Sequence, residues 1–149
     1  MSEYAKLFQI IQDSVLPAYQ EKFANISSTS INDVRDSAKI HAYLLLLLEI
    51  TVYEYRKKHA TIFEPLKGEK ALKHLLFTRY HVPLSELESV SLEWLVFALL
   101  KDLTPENLSE SAQNYVNGLT LNEAATGIDW HLKINWTLGF GEVILEGAH

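Results

Sequence analysis

Most of the chain repeats its apolar residues every three to four positions, the period of a helix that buries one face. Leu7, Ile10, Ile11, Val15 and Leu16 predict a first helix from about Glu3 to Ala24, with Pro17 bending it. After "NISSTS", Ser30 or Asn32 is placed to cap a second helix, with Asp33 and Asp36 in its first turns where the helix dipole favours acids. That helix runs through "AYLLLLLEITVY" to about His59 and is apolar all round in its middle, which puts it at the centre of the fold. Gly68 precedes a short helix, "EKALKHLLFTRY", that stops before Pro83, and Ser91 caps "LEWLVFALLKDL". Thr104 and Pro105 start "PENLSESAQNYV", which Asn117 and Gly118 close through a left-handed residue. Thr120 and Glu123 form a capping box for a last turn or two ending at Gly127.

From residue 128 the period changes. In "IDWHLKINWTLGF" every second residue is apolar: Ile128, Trp130, Leu132, Ile134, Trp136, Leu138 and Phe140. That is the pattern of a strand with one buried face. A shorter apolar run, Val143 to Leu145, follows Gly139 and Gly141, so a C-terminal hairpin turning at "GFGE" is expected. Two strands leave two open edges, which a helix, a second copy of the chain or a partner protein has to cover. The expected fold is therefore mainly α: a single-domain helical bundle of about six helices spanning 1–149, with a short C-terminal β-hairpin or strand within 128–147.

Length and composition suit one domain with a substantial core, since 149 residues are 48% hydrophobic and the six Gly and four Pro are scattered. No cysteine is present, which excludes disulfides, thiolate metal sites and a cysteine nucleophile. The first residues, "MSEYAKLFQIIQDSV", mix acids with apolar residues and lack a signal-peptide pattern, and the longest apolar run contains Glu49 and is too short to span a bilayer. A cytoplasmic protein without membrane attachment is expected.

Charge changes this picture by being unevenly placed. The net charge is −6, yet residues 1–84 hold 11 Lys and Arg against 9 Asp and Glu, while residues 85–149 hold 2 against 10. Arg56, Lys57, Lys58, Lys67, Lys70, Lys73 and Arg79 face only Glu64 and Glu69 in their stretch, beside Tyr55, Phe63, Phe77 and Tyr80. Basic and aromatic residues in this arrangement fit a nucleic-acid patch, but in an acidic protein solvated helix faces complementing the acidic C-terminal half account for them more simply.

Specific chemistry is sparse. The stretch "RDSAKIH" resembles the R-x(4-6)-H signature of HEPN helical ribonucleases, and the resemblance implies Arg35 on a scissile phosphate and His41 in proton transfer. A spacing of six sets the two side chains about 120° apart around a helix. Glu49, inside the leucine run, is the best candidate for a carboxyl perturbed by burial, either as an acid catalyst or as a structural residue hydrogen-bonded to a neighbouring helix. The six histidines show no metal-binding spacing, and no phosphate-loop, nucleophile-elbow or dinucleotide motif occurs, so no metal, cofactor or enzymatic activity is expected.

The functional expectation is a small acidic cytoplasmic protein that binds another protein. Its most specific form is an immunity or antitoxin-type inhibitor of a basic nuclease toxin, with Glu86, Glu88, Glu93, Asp102, Glu106, Glu110, Glu123 and Asp129 steering the partner. Glu106 and Glu110 fall four apart on one expected helix, and a strand edge at Asp129 and Trp130 offers β-augmentation by the partner or by a second copy. The alternatives are a HEPN-like ribonuclease using Arg35 and His41, and a helical regulatory module with no toxin partner.

Overall fold

The computed structural model describes residues 2–24, 31–121 and 128–147. Among them the chain is mainly helical, with seven α-helices, one 3₁₀ turn and no strand. Helix α1 (Glu3–Phe23) is capped by the Ser2 hydroxyl, which accepts from the Ala5 N–H at 3.1 Å, and it continues through Pro17. Tyr4, Leu7, Phe8, Ile11, Val15 and Tyr19 bury one stripe of it against α2 (Ile31–His59). The helix α2 is about 43 Å long at 1.5 Å per residue. Every residue from Leu45 to Ile50 is buried, so the all-round apolar run does mark the centre of the fold.

The remaining helices are shorter. Helix α3 (Glu69–Tyr80) packs on α2 and ends at His81, whose φ of 57° is the left-handed conformation that closes helices. Helix α4 (Leu84–Leu87) packs on α3, as does α5 (Leu92–Ala98), capped by Ser91. Helix α5 stops five residues short of the expected Leu103, where the chain turns and Asp102 is held by Arg79 and Tyr80 of α3.

Two expectations around α6 need correction. The stretch "PENLSESAQNYV" is not one helix but a 3₁₀ turn (Pro105–Asn107) followed by α6 (Glu110–Asn117). The cause is Glu54 on α2, whose carboxylate accepts the Ser109 N–H at 2.9 Å and its hydroxyl at 2.6 Å, drawing that N–H away from a helical ladder. Glu106 and Glu110 therefore do not share one helix. Gly118 closes α6 in a right-handed conformation, φ −82°, rather than a left-handed one. The capping box at Thr120 and Glu123 lies largely outside the described residues.

The C-terminal hairpin is not formed. Residues 128–141 make no β-ladder, and the expected second strand is helix α7 (Glu142–Glu146), which packs on α1 and α2 with Leu145 fully buried and Val143 exposed. The alternation is real all the same. Leu132, Ile134, Trp136 and Leu138 turn inward while His131, Lys133, Asn135 and Thr137 are exposed. An extended chain alternates its side chains whether or not a neighbouring strand pairs with it. Here the inward side lies on helices, and the backbone finds a side-chain partner instead of a ladder.

That partner is Glu49. Its carboxylate, 1% exposed, accepts the Trp136 indole N–H at 2.9 Å, the Gly139 N–H at 2.8 Å and the Gly141 N–H at 3.3 Å. The "GFG" turn is thus a pair of backbone donors closed around an anion. Both its glycines are needed. Gly139 has φ 108° and packs against the backbone of Gly68, and a Cβ on Gly141 would sit 2.8 Å from Leu7 and 3.0 Å from the Glu49 carboxylate.

Burial pushes the Glu49 carboxyl above its ordinary 4.5, and the donors from Gly139, Trp136 and Gly141 draw it part of the way back. Replacing Glu49 by Leu leaves three buried donors without an acceptor and is expected to cost about 3 kcal/mol or more, against about 2 kcal/mol for Trp136→Phe. The pH dependence follows from the raised value: the folded form holds this proton more tightly than the unfolded chain. The contribution of the group is full below 4.5 and is lost as pH rises through the folded value. Urea unfolding at pH 4 and pH 7 checks both points, with Glu49→Gln gaining on the wild type at the higher pH.

Candidate functional site

The residues expected to form a ribonuclease centre are not brought together. Arg35 is exposed near the start of α2, whereas His41 is buried on the side that faces α1. His41 Nδ1 lies 2.8 Å from the Tyr19 hydroxyl, and the two rings meet edge to face at 5.5 Å. Burial lowers the His41 pKa to about 4, so the imidazole is neutral at physiological pH and enclosed by core residues. It has neither the charge nor the access to serve a phosphate in concert with Arg35. Glu49 is likewise a structural residue, because both its oxygens are occupied by the C-terminal segment.

The expected partner-binding acids fall into three groups. Glu86 and Glu88 are exposed in and beside α4, and Glu93 is half-buried in the first turn of α5. Glu106 and Glu110 are exposed around the start of α6, with Glu106 held below the ordinary carboxylate value by its own backbone N–H and the Thr104 hydroxyl. Asp102 and Asp129 are occupied. Asp102 is bound by Arg79 at 3.1 Å and by Tyr80 at 3.2 Å, and Asp129 by Lys22 of α1 at 2.6 Å, which together with the His131 N–H lowers its pKa. Trp130, partly exposed in the adjoining turn, borders no strand edge, so docking by β-augmentation at Asp129 and Trp130 lacks its template among the described residues. Glu123 lies outside the described residues.

What sequence reasoning missed is the outer face of α5. Leu95, and Leu99 just past the helix end, are completely buried, but Trp94 and Phe97 on the other side, and Leu100 in the turn that follows, are 58, 66 and 58% exposed. The Trp94 and Phe97 rings contact each other edge to face at 5.3 Å, and Leu84 of α4 is also exposed. No Lys or Arg occurs from Leu84 to Leu100, while Glu86, Glu88 and Glu93 do. The signal was available in "LEWLVFALL", which is apolar on too wide an arc for a surface helix. Ile62 and Phe63, at the tip between α2 and α3, are fully exposed as well, with Lys57, Lys58 and Glu64 near them in the sequence.

A second feature is a cleft of about 380 Å³ between the last turns of α2, α3 and the 3₁₀ turn. Tyr55, Lys58, His59, His74, Arg79 and Asp102 line it. The Tyr55 hydroxyl lies 2.6 Å from His74 Nδ1, and its ring stacks on His59 at 4.3 Å. Among the described residues no three metal-ligating side chains converge, here or elsewhere, and no helix is long and apolar enough to cross a membrane. Comparison of the chain with protein-family models, with curated proteins and with solved structures gave no match.

His41 gives this part of the structure a measurable signature. Its folded value near 4 lies below the ordinary 6.5, so the unfolded chain binds this proton more readily. The stabilisation from a neutral, buried His41 is complete above pH 6.5 and is lost as pH falls towards 4, about 3 kcal/mol over that window. Chemical unfolding between pH 7 and pH 4 is expected to show this slope in the wild type and to lose it in His41→Gln. A wild type without the slope would place His41 in contact with solvent.

Proposed function

We propose that this chain is a protein-binding module whose contact surface is the outer face of α4 and α5. The observation that carries the reading is the exposed Trp94, Phe97 and Leu100, in a stretch of sequence whose charged residues are Glu86, Glu88 and Glu93. Exposed aromatic and aliphatic side chains gathered on one helix face mark interaction sites, and Trp supplies more contact energy than most residues at such sites. The acids around them select a partner with basic groups and speed its approach. In its most specific form the module is an immunity or antitoxin-type inhibitor that neutralises a basic nuclease toxin. A nuclease carries cations to hold phosphates, and an acidic blocker competes for them.

The partner to test is a basic nuclease encoded beside this protein, measured by surface plasmon resonance at two salt concentrations. Trp94→Ala and Phe97→Ala are each expected to weaken binding by about 2 kcal/mol or roughly thirtyfold. Charge reversal at Glu86, Glu88 and Glu93 is expected to slow association more than it speeds dissociation, and added salt to mimic it within a screening length of about 10 Å at 0.1 M. Substituting Lys57, Lys58, Lys70 and Lys73 leaves the affinity unchanged on this reading. Binding that tolerates loss of both aromatics but not of the lysines would move the interface to the basic end of the molecule.

A further inference from the structure

The cleft at the end of α2 is distinct from the α5 surface, and its side chains sort by whether they are already engaged. Its acids are. Glu54 accepts the Ser109 N–H and hydroxyl, and Asp102 is bound by Arg79 and the Tyr80 hydroxyl, so both carboxylates already have protein donors, although only Asp102 is matched by a cation. Its donors are largely free. Lys58 is exposed and has no ion pair or hydrogen bond among the described residues, and Arg79 remains more than half exposed despite its bond to Asp102. The Tyr55 hydroxyl engages Nδ1 of His74 at 2.6 Å, which leaves Nε2 as the ring nitrogen open to a ligand. His59 is held 6.4 Å from His74, ring centre to ring centre, by its stacking on Tyr55.

We propose that this cleft binds a small phosphate monoester, with Lys58, His59, His74 and Arg79 donating to the phosphate oxygens. A tetrahedral anion with three terminal oxygens suits several donors arriving from two helices, whereas a carboxylate would leave some of them unused. The volume of about 380 Å³ lies in the range of small-molecule sites and exceeds what a bare phosphate fills. The rest of the wall mixes Leu75, Leu108 and the Tyr55 ring with Thr51, Thr78 and Asn107, apolar and hydrogen-bonding surface for the organic group the phosphate carries. The negative end of the α2 dipole and the Glu54 carboxylate oppose an anion here, and Lys58 and Arg79 are the charges set against them.

Nuclear magnetic resonance of the histidine rings, at constant ionic strength, tests the assignment with inorganic phosphate, adenosine 5′-monophosphate and adenosine as probes. Phosphate and adenosine monophosphate are expected to shift the ring signals of His59 and His74, with the nucleotide binding more tightly and adenosine leaving them unchanged. Lys58→Gln removes one charged donor from an exposed position and is expected to weaken binding about tenfold without altering the melting temperature. Lys39→Gln, about 28 Å away along α2, leaves binding intact on this assignment. Unmoved ring signals at 20 mM phosphate, equal binding by adenosine, or full affinity in Lys58→Gln would each overturn it. Much tighter binding of a short oligonucleotide than of the monophosphate would replace it with a nucleic-acid surface. None of these outcomes bears on the α5 face.

Discussion

The carboxylate of Glu49 lies inside the helix that forms the centre of the fold, and the C-terminal segment is organised around it. Removing a carboxylate from water costs several kcal/mol, and among the described residues no cation is paired with it to offset that cost. Three N–H donors do so instead, from Trp136, Gly139 and Gly141. Hydrogen bonds to a charged group contribute about 1.5–3 kcal/mol each, enough to hold the anion only if all three are present. The requirement is mutual. The segment from 128 to 141 has no ladder of its own, and without Glu49 its donors at the closing turn would be buried and unmatched.

The same device recurs along α2. One and a half turns beyond Glu49, Glu54 takes the N–H and hydroxyl of Ser109 and so breaks the chain between the 3₁₀ turn and α6. Two residues later, Arg56 forms an ion pair with Glu142 at the start of α7 and donates to the Pro65 carbonyl. One helix thus anchors three separate parts of the chain through polar side chains set beside its apolar core. The nonpolar contacts are undirected, and these bonds fix where each segment lies. Glu54 and Arg56 also border the cleft or the loop beyond it, so the bonds that place α6 and α7 also shape the end of the molecule where the cations gather.

Local signals in the sequence were read well where the structure depends on local physics. The helical period of α1, where Leu7, Ile11 and Val15 are buried although the expected Ile10 is exposed, the central burial of α2, the end of α3 before Pro83 and the Ser91 cap all follow from spacing and caps within a few residues. The failures share one cause. Glu49 finds its donors 87 to 92 residues away, and Glu54 finds Ser109 55 residues away, and no period reports such a pairing. The alternation after residue 128 predicted a strand, and none forms: one side turns inward from Leu132 to Leu138, but a strand requires a neighbouring strand, and the pattern is silent on whether the neighbour is a strand or a helix. Of the candidate chemistry, the Arg35 and His41 spacing was legible while the Tyr19 hydroxyl that encloses His41 was not. The outer face of α5 was visible as excess hydrophobicity. The cleft was not, since His59 and His74 come from separate helices and only the Tyr55–His59 spacing of four residues hinted at it.

The uneven charge of the chain acquires a spatial meaning from one contact. Arg79 on α3 and Asp102 after α5 join the basic stretch of the sequence to the acidic one, and Tyr80 reinforces the join from the same helix end. Asp102 is engaged by α3 although it belongs to the acidic half, so the acids left unpaired beside the apolar α5 face are Glu86, Glu88 and Glu93. On the other side of the join, Lys58 has no ion pair or hydrogen bond among the described residues, because Glu54 and Asp102 have their oxygens occupied by other donors. Net charge alone, −6, describes neither surface. What distinguishes them is which charges the fold has already consumed in holding itself together, and which it has left facing outward.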